Sequence, residues 1–589
     1  MLFSELAEYY QKLEDVSSRL KMIDIMADML KNAGKDEIKS IIYMTEGVLA
    51  PAFEGLDFGV AEKFLEEAIA VATGMHKEEV EKAYKKYGDM GIAAQELISQ
   101  SKLKRMNAKK YSVLEVYGIM NKIAATSGSG SKEAKIKMLA ELLAGSSPEE
   151  AKFMARYPIG QLRLGAGDST ILEALSVAFT GSREAKSELE NAYNICSDLG
   201  YIGEVLAKKG IEEIRSLKVS LFKPIRPALA ERLPTAEEII KKMGGKCAVE
   251  QKYDGFRCQV HKSGKKVKIY SRNLEETTSM LPDIAKAAIT EIHEDHIIFE
   301  GEALGMNEAT GEFLPFQETM QRKRKHGITE KIEELPLHLV AFDIMYLNGK
   351  DLMKEPYEAR RSILENAIKG AKMITASKRI LTTSPKELEE FFETSVEGGL
   401  EGIVAKDLKA PYIAGARKFS WIKMKRSYKG ELSDTLDLVI VGYFLGRGSR
   451  TEFKFGGLLC AAYNKKRDMF ETISKIGTGF TEANMQAFYE LLSKAVVKQK
   501  PARVDSLITP DFWVEPKYVI TVKADEITKS PMHTCGMQED KSGEKAGYAL
   551  RFPRIVGDGL VRKDKSPEDA TSTVEIIEMF KDQKRVSVK

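Results

Sequence analysis

Cysteine is scarce and dispersed: five thiols in 589 residues, Cys196, Cys247, Cys258, Cys460 and Cys535, with no CxxC pair among them. That excludes a disulfide framework and gives no support to a structural zinc site. Long apolar runs are missing too. No segment reaches the ~18–20 residues needed to cross a bilayer, so no membrane role is expected. The stretch Met1–Asp15 lacks a basic patch followed by an apolar core, so no secretory leader is expected and the cytoplasm is the expected compartment. Net charge is nearly absent, with 90 Lys+Arg against 87 Asp+Glu. This rules out a uniformly basic nucleic-acid coat but not local patches. No internal period of the solenoid kind is present.

What is present reads as globular. A hydrophobic share of 43% beside 30% charged residues suits folded domains, and the length suits about three or four of them. Residues 1–215 read as helical. Apolar positions recur at spacings of three and four in Leu2–Leu30, Ala61–Ala72 and Ala134–Leu143. Ser147-Pro148-Glu149-Glu150 has the form of a capping box with Pro at the first helical position, and Thr126–Ser131 forms a flexible connection between helices. Beyond 215, β-rich runs take over at Val267–Tyr270, Ile297–Leu304, Leu337–Tyr346, Leu436–Phe444 and Leu458–Tyr463. Helices are expected at Tyr357–Ala371, Pro385–Ser395 and Glu482–Val497. The expectation is a multidomain α+β chain: a helical domain over 1–215, a mixed α/β domain over 216–425 and a mostly β domain over 426–589.

The most informative segment is Glu250-Gln-Lys-Tyr-Asp-Gly-Phe-Arg257. A Lys beside Asp-Gly at a strand end, with an Arg five residues on, has the make-up of a covalent nucleophile, although alone it also reads as a charged turn. Matching segments follow in order: Ser271-Arg272-Asn273, Phe299-Glu300-Gly301-Glu302, Ala341-Phe342-Asp343, Glu401-Gly-Ile-Val-Ala-Lys406, Trp421-Ile-Lys423-Met-Lys425, Arg551-Phe-Pro-Arg554 and Arg562-Lys-Asp-Lys565. Together they resemble the ATP-dependent DNA ligases of archaeal and eukaryotic replicative type, within the covalent nucleotidyltransferase superfamily. The resemblance runs nearly end to end.

It implies a helical DNA-binding domain, an adenylation domain and a C-terminal OB-fold barrel. It implies ATP as substrate, Mg²⁺ as cofactor and sealing of nicked duplex DNA in replication, repair and recombination, in an archaeal-type cell. Lys252 would be the nucleophile. A free lysine titrates near ~10.4, so neighbouring cations and burial must favour its neutral amine. Negative charge building on phosphate oxygens calls for fixed cations. By the resemblance these are Arg257, Arg272, Lys423 and Lys425, with Arg417 on the nick 5′-phosphate or the nucleotide phosphates. Glu302 and Glu401 would hold Mg²⁺, Phe342 would stack on adenine and Glu250 would accept its exocyclic amine.

For DNA, Arg156-Tyr-Pro-Ile-Gly-Gln-Leu-Arg163-Leu-Gly165 resembles the backbone-contacting segment of the helical domain, with Arg163 as its contact, and the basic pieces Ser101–Arg105 and Lys109-Lys110 stand nearby. Phe316 and Phe552, the latter beside Arg551, sit at the positions of wedges against the nick-flanking sugars. Arg554 and Lys565 would come onto ATP when the OB domain rotates about a pivot at Lys425–Tyr428. The tail Ser566–Asp569 and Val574–Phe580 reads as a capped helix packing on the middle domain. A monomer is expected. A sliding clamp is a conceivable partner, yet Gln100-Ser-Lys-Leu-Lys104 lacks the aromatic pair of a docking segment. His293-Glu-Asp-His296 reads as an acidic turn, and Gln321–Lys325 as a nucleic-acid-facing patch.

The rival within the superfamily is an RNA ligase or an mRNA-capping guanylyltransferase; the helical domain and Arg551–Arg554 disfavour both. A non-catalytic DNA clamp would have lost Lys252, Glu302 or Lys423, and all three are present. Residues 1–100 hold 11 basic and 19 acidic side chains, and the remainder 79 and 68. Near-neutrality is thus an average over an acidic start and a basic remainder.

Overall fold

The computed structural model describes residues 1–101, 109–306, 313, 319, 336–425, 435–446, 453–539, 545–556 and 561–585. They form two compact bodies, Met1–Ser395 with Gly399–Met424, and Lys425–Lys589 with Val396–Gly398.

The first body opens with helices. The periodic stretch from Leu2 is two helices, Phe3–Glu14 and Arg19–Asn32, which bury Leu6, Tyr10 and Leu13 on one side and Ile23, Met26 and Leu30 on the other. Ser147 caps Pro148–Arg156 as its sequence indicates, accepting from the Glu150 N–H while the Glu150 carboxylate accepts from the Ser147 N–H. Asp89 caps Met90–Gln100 through the N–H groups of Gly91 and Ile92, at 2.8 and 3.1 Å. The connection 126–130 joins Val113–Ala125 to Ser131–Ala144, turning at Gly128 and Gly130. One apolar cluster, from Phe3 to Ile214, holds these helices together. Each fully buried Leu, Ile or Phe in it contributes ~1.5–3 kcal/mol.

Two sheets follow in the same body. The first has the order Leu229–Arg232, Arg417–Lys425, Gly402–Lys406, Cys247–Lys252, Arg379–Thr382. The second runs Lys266–Tyr270, Phe256–Ser263, His296–Gly305, Leu337–Leu347, Lys350–Asp351, with Ile374–Ala376 beside Leu337–Leu347. The chain passes from one sheet to the other through Tyr253-Asp254-Gly255. Gly255 lies so close to the strand His296–Gly305 that a Cβ there would meet the Ala303 carbonyl at 2.3 Å, so only glycine fits. The expected helix Tyr357–Ala371 ends at Ala367, before Gly370 with φ +86°.

The second body is β-rich. Its larger sheet runs Val496–Val497, Phe512–Lys523, Leu436–Phe444, Gly457–Asn464, Met469–Ile476, Val504–Asp505, with Arg554–Ile555 paired to Phe512–Lys523. Glu526–Ser530, Lys545–Arg551 and Gln538–Glu539 make a smaller one. Two expectations are corrected here. The helix from Glu482 stops at Leu492, and Val496-Val497 instead pair as a strand with Trp513 and Val514, as β-branched residues favour. The helix Thr573–Arg585 packs on its own domain: Ile576 is fully buried in the β-domain core, and the Phe580 ring meets Tyr548 edge-on at 4.9 Å.

Candidate active site

The junction between the two sheets of the first body gathers several of the candidate side chains. Lys252 ends the strand Cys247–Lys252 directly opposite Gly402, and its carbonyl accepts the Glu401 N–H at 3.0 Å. The Lys252 Nζ forms an ion pair with the Glu401 carboxylate, both side chains being about three-quarters covered. Across the crossover, Glu302 pairs in register with Arg257 and accepts the Gly255 N–H at 3.2 Å. Burial pushes the Glu302 carboxyl up to about 7, against the pull of Lys252 and Arg257. Two carboxylates therefore flank one lysine, and each is carried by a different sheet.

Arg257 is held from behind. Its Nη2 donates to buried Glu300 at 2.9 Å and its Nη1 to the Ala228 carbonyl at 3.1 Å, while Tyr412 Oη donates to the same Glu300 at 2.7 Å. The Arg257 Nε is buried without a protein partner. Its guanidinium lies 5.4 Å from the Phe342 ring centroid, and Trp421 meets Phe342 edge-on at 6.0 Å. Asp407 N–H donates to Ser420 C=O at 2.9 Å, where the strand Arg417–Lys425, which carries Lys423 and Lys425, lies beside Gly402–Lys406. Both lysines are half-buried and, two residues apart, share one face of the strand.

Glu250 is more enclosed than its expected task suggests. Only 2% exposed, it accepts hydrogen bonds from Tyr357 Oη, from Ser377 Oγ at 2.9 Å and from Arg361 Nη1 at 3.4 Å, and pairs with Lys406 Nζ at 3.0 Å. Lys406 also donates to the Phe342 carbonyl at 2.9 Å and lies 4.3 Å from the Trp421 ring centroid. Burial pulls its ammonium below the ordinary lysine range, against Glu250 and Asp343. Sequence reasoning gave no role to Tyr357, Arg361, Ser377 or Lys406. The one available signal was Arg360-Arg361, two arginines on the buried side of an otherwise amphipathic helix.

Other expected residues lie elsewhere. Arg272 is exposed and lines a cavity of about 430 Å³ with Glu46, Tyr193 and Arg226, and neither Lys252, Glu302 nor Phe342 borders it. Arg417 enters through its backbone, in register with Leu229. Arg163, at φ +59°, turns its guanidinium inward, donating to Asp89 at 2.6 Å and to Gln161 at 3.0 Å. In the β domain, Phe552 is 62% exposed at φ +51°, with the Arg551 guanidinium 5.1 Å from its ring. Arg554 donates to Asp525 at 2.8 Å, and Lys565 to Asp437 at 2.6 Å. Phe316 and the patch Gln321–Lys325 lie outside the described residues, as do 102–104 of the clamp-site segment and 426–428 of the expected pivot. No group of three or more His, Cys, Asp or Glu side chains suited to a metal occurs among the described residues, and His293, Asp295 and His296 are exposed.

Comparison with known proteins identifies this arrangement. Family profiles match three stretches: "DNA ligase N terminus" over residues 2–176, "ATP dependent DNA ligase domain" over 227–425 and "ATP dependent DNA ligase C terminal region" over 451–565. The chain belongs to the ATP-dependent DNA ligase family. A "Probable DNA ligase" of Dictyoglomus turgidum is 48% identical over 588 residues, covering 100% of this chain and 99% of its own. The "DNA ligase" of Saccharolobus solfataricus is 42% identical, covering 100% and 98%. A solved structure named "Pmar-Lig_Pre." shares the fold at TM-score 0.57 and 17% identity, covering 95% of this chain and 99% of its own. The ligase therefore has the three-part architecture of its family, helical, nucleotidyltransferase and β-rich, and ATP is its substrate. No helix among the described residues is long and apolar enough to cross a membrane.

Proposed function

We propose that this ligase seals nicks in duplex DNA from the Lys252 junction, acting as a monomer on 5′-phosphate/3′-hydroxyl breaks. The observation that carries the assignment is Lys252 between Glu401 and Glu302 at the meeting of two sheets. The Lys252 amine, once it has lost a proton, attacks the α-phosphorus of ATP; the bond to the β-phosphate breaks, pyrophosphate leaves and AMP stays on Nζ. AMP then passes to the 5′-phosphate of the nick, and the 3′-hydroxyl displaces it.

Each cluster has a role in that sequence. Phe342, backed by Trp421, offers a face for adenine, while Glu250 and Lys406 form the polar end of that pocket. Arg257, Lys423 and Lys425 stabilise charge on the phosphates. The carboxylates of Glu302 and Glu401 suit Mg²⁺, being hard oxygen donors beside the nucleophile, and the raised Glu302 carboxyl is relieved by a cation. When bound, Mg²⁺ would neutralise phosphate charge. Glu401, meanwhile, holds the Lys252 ammonium in place until the proton is shed.

For DNA, the backbone of 160–167 carries the contact, with Arg163 fixing its shape from inside through Asp89. Three positive φ values, at Gly160, Arg163 and Gly165, lay this loop before the helix Asp168–Thr180, whose first N–H groups suit a phosphate. Phe552 is an exposed aromatic held at an unfavourable φ, which fits a wedge in the minor groove.

The test is a nicked duplex labelled at one end, incubated with Mg²⁺ and ATP, GTP or NAD, beside an RNA nick and a 5′-diphosphate RNA. Sealing of DNA with ATP alone is expected. Sealing confined to RNA, or GMP transfer to the RNA end, would assign the site to another reaction of this chemistry.

A further inference from the structure

In the β domain, Asp437 holds both basic side chains of the segment Arg562–Lys565. Its Oδ2 accepts from Lys565 Nζ at 2.6 Å; Arg562 Nη1 reaches Oδ1 and Oδ2, each at 3.3 Å; Thr521 Oγ1 donates to Oδ1 at 2.7 Å. The carboxylate is also fixed by the sheet that carries it. Asp437 lies in the strand Leu436–Phe444 in register with Thr521, its N–H donates to Thr571 Oγ1 at 2.9 Å and its C=O accepts the Thr571 N–H at 2.8 Å. The cation-bearing segment is laid onto the same sheet, because Arg562 N–H donates to Val519 C=O at 2.7 Å.

The two cations are used differently. Arg562 spends its Nε and Nη2 on Asp564, at 2.8 and 2.6 Å, and its Nη1 on Asp437 and Thr521, so every edge of the guanidinium is occupied. It is a bracket between two carboxylates. Lys565 donates one hydrogen bond to Asp437 while a third of its side chain remains exposed, and an ammonium has three donors. Burial works to raise the Asp437 carboxyl, but hydrogen bonds from Lys565 and Thr521 and the charges of both cations hold it below the ordinary range.

We propose that Asp437 is a positioning residue for enzyme adenylation: it fixes the Lys565 ammonium in one orientation, with Arg562 as the second strut, so that Lys565 meets the departing pyrophosphate already ordered. This rests on the reading of Lys565 as an ATP-step residue. A long, freely rotating lysine must be immobilised when it binds, and prior fixation removes that cost from the reaction. Nothing in the sealing of an already adenylated nick requires this cation, because no pyrophosphate departs there.

The test uses the full chain as Asp437→Asn, Asp437→Glu, Lys565→Ala and Asp437→Asn/Lys565→Ala, each first shown to melt as the wild type does. Asn keeps the shape and the Thr521 contact but removes the charge. Protein–AMP formation from ATP and sealing of a pre-adenylated nick without ATP are timed separately. Asp437→Asn should slow adenylation about tenfold or more, leave sealing of the pre-adenylated nick within about twofold, and add nothing further when Lys565 is already Ala. Asp437→Glu should recover part of the rate. Equal losses in both steps, or an adenylation rate in Asp437→Asn matching wild type while Lys565→Ala is slow, would overturn the proposal. Full adenylation activity in Lys565→Ala would instead remove the reading of Lys565 on which it stands.

Discussion

Lys252 and Glu401 stand 149 positions apart in the chain and face each other across adjacent strands, ammonium against carboxylate. The ladder between Cys247–Lys252 and Gly402–Lys406 fixes that pairing, with Lys252 opposite Gly402. The lysine proposed as nucleophile is thus paired with one carboxylate, with the second held at the same junction by the other sheet. Removing the stored charge has a defined consequence. Glu401→Gln should lower the adenylation rate by on the order of a hundredfold and raise the Mg²⁺ concentration needed for half-maximal rate. Titrating Mg²⁺ in a protein–AMP assay checks both.

The Glu250 cluster gives a second expectation. Lys406→Met leaves Glu250 buried with only neutral donors and Arg361, a change that costs about 2–4 kcal/mol. Denaturant unfolding should show the loss. The KM for ATP should rise more than kcat falls, since the cluster backs the Phe342 ring proposed to receive the base.

How much of this was legible in the sequence follows from the kind of signal each residue leaves. The strands were legible because β-branched and apolar runs bounded by turns have few alternatives: Leu436–Phe444 is found at its expected limits. The candidate nucleophile, the two carboxylates and the lysine pair were visible as ordered segments, and the two sheets bring Lys252, Glu302, Glu401 and Phe342 to one junction. What lay hidden were residues whose significance is only tertiary. Asp89 is an unremarkable helix cap in sequence, yet it also anchors Arg156 and Arg163 from 67 and 74 positions away. Arg163 is expected as a DNA contact, and its inward-turned guanidinium and positive φ leave no local signature in a non-glycine residue.

A third prediction concerns that network. Asp89 accepts from Arg156 at 3.0 and 2.8 Å and from Arg163 at 2.6 Å while capping its helix. Burial works to raise its carboxyl, and Arg156 and Arg163 lower it further than burial raises it. With the folded value depressed, its contribution is present at neutral pH and is lost as pH falls below the unfolded carboxylate range near ~3.9. Asp89→Asn should cost about 3 kcal/mol at neutral pH, with the gap to wild type closing in strong acid. It should also weaken nicked-DNA binding, because the loop 160–167 loses its anchor. Chemical denaturation across pH and a gel-shift assay are the checks.

Glu46 has the opposite sign. Burial, with Asp168 and Asp198 nearby, pushes its carboxyl up to about 8, and Arg226 opposes the shift. The unfolded chain titrates near ~4.3, so the folded state prefers the proton, and the cost of losing it is absent below that value and complete above about 8. Glu46→Gln should therefore melt with wild type at pH 4 and gain about 5 °C over it at pH 9. Thermal melts across that range decide it; a gap that narrows toward alkaline pH contradicts the assignment.

Covalent chemistry at Lys252 is tested by replacing that residue with arginine. Lys252→Arg keeps a cation for Glu401 but has no amine that can be deprotonated at neutral pH. Wild type and variant are incubated with α-labelled ATP and Mg²⁺, resolved on a denaturing gel and chased with a nicked duplex. Label on the wild-type protein should survive denaturation and move to DNA in the chase, and none should appear on Lys252→Arg. Label on the arginine variant, or an unlabelled wild-type protein that still seals the nick, would contradict covalent chemistry at Lys252.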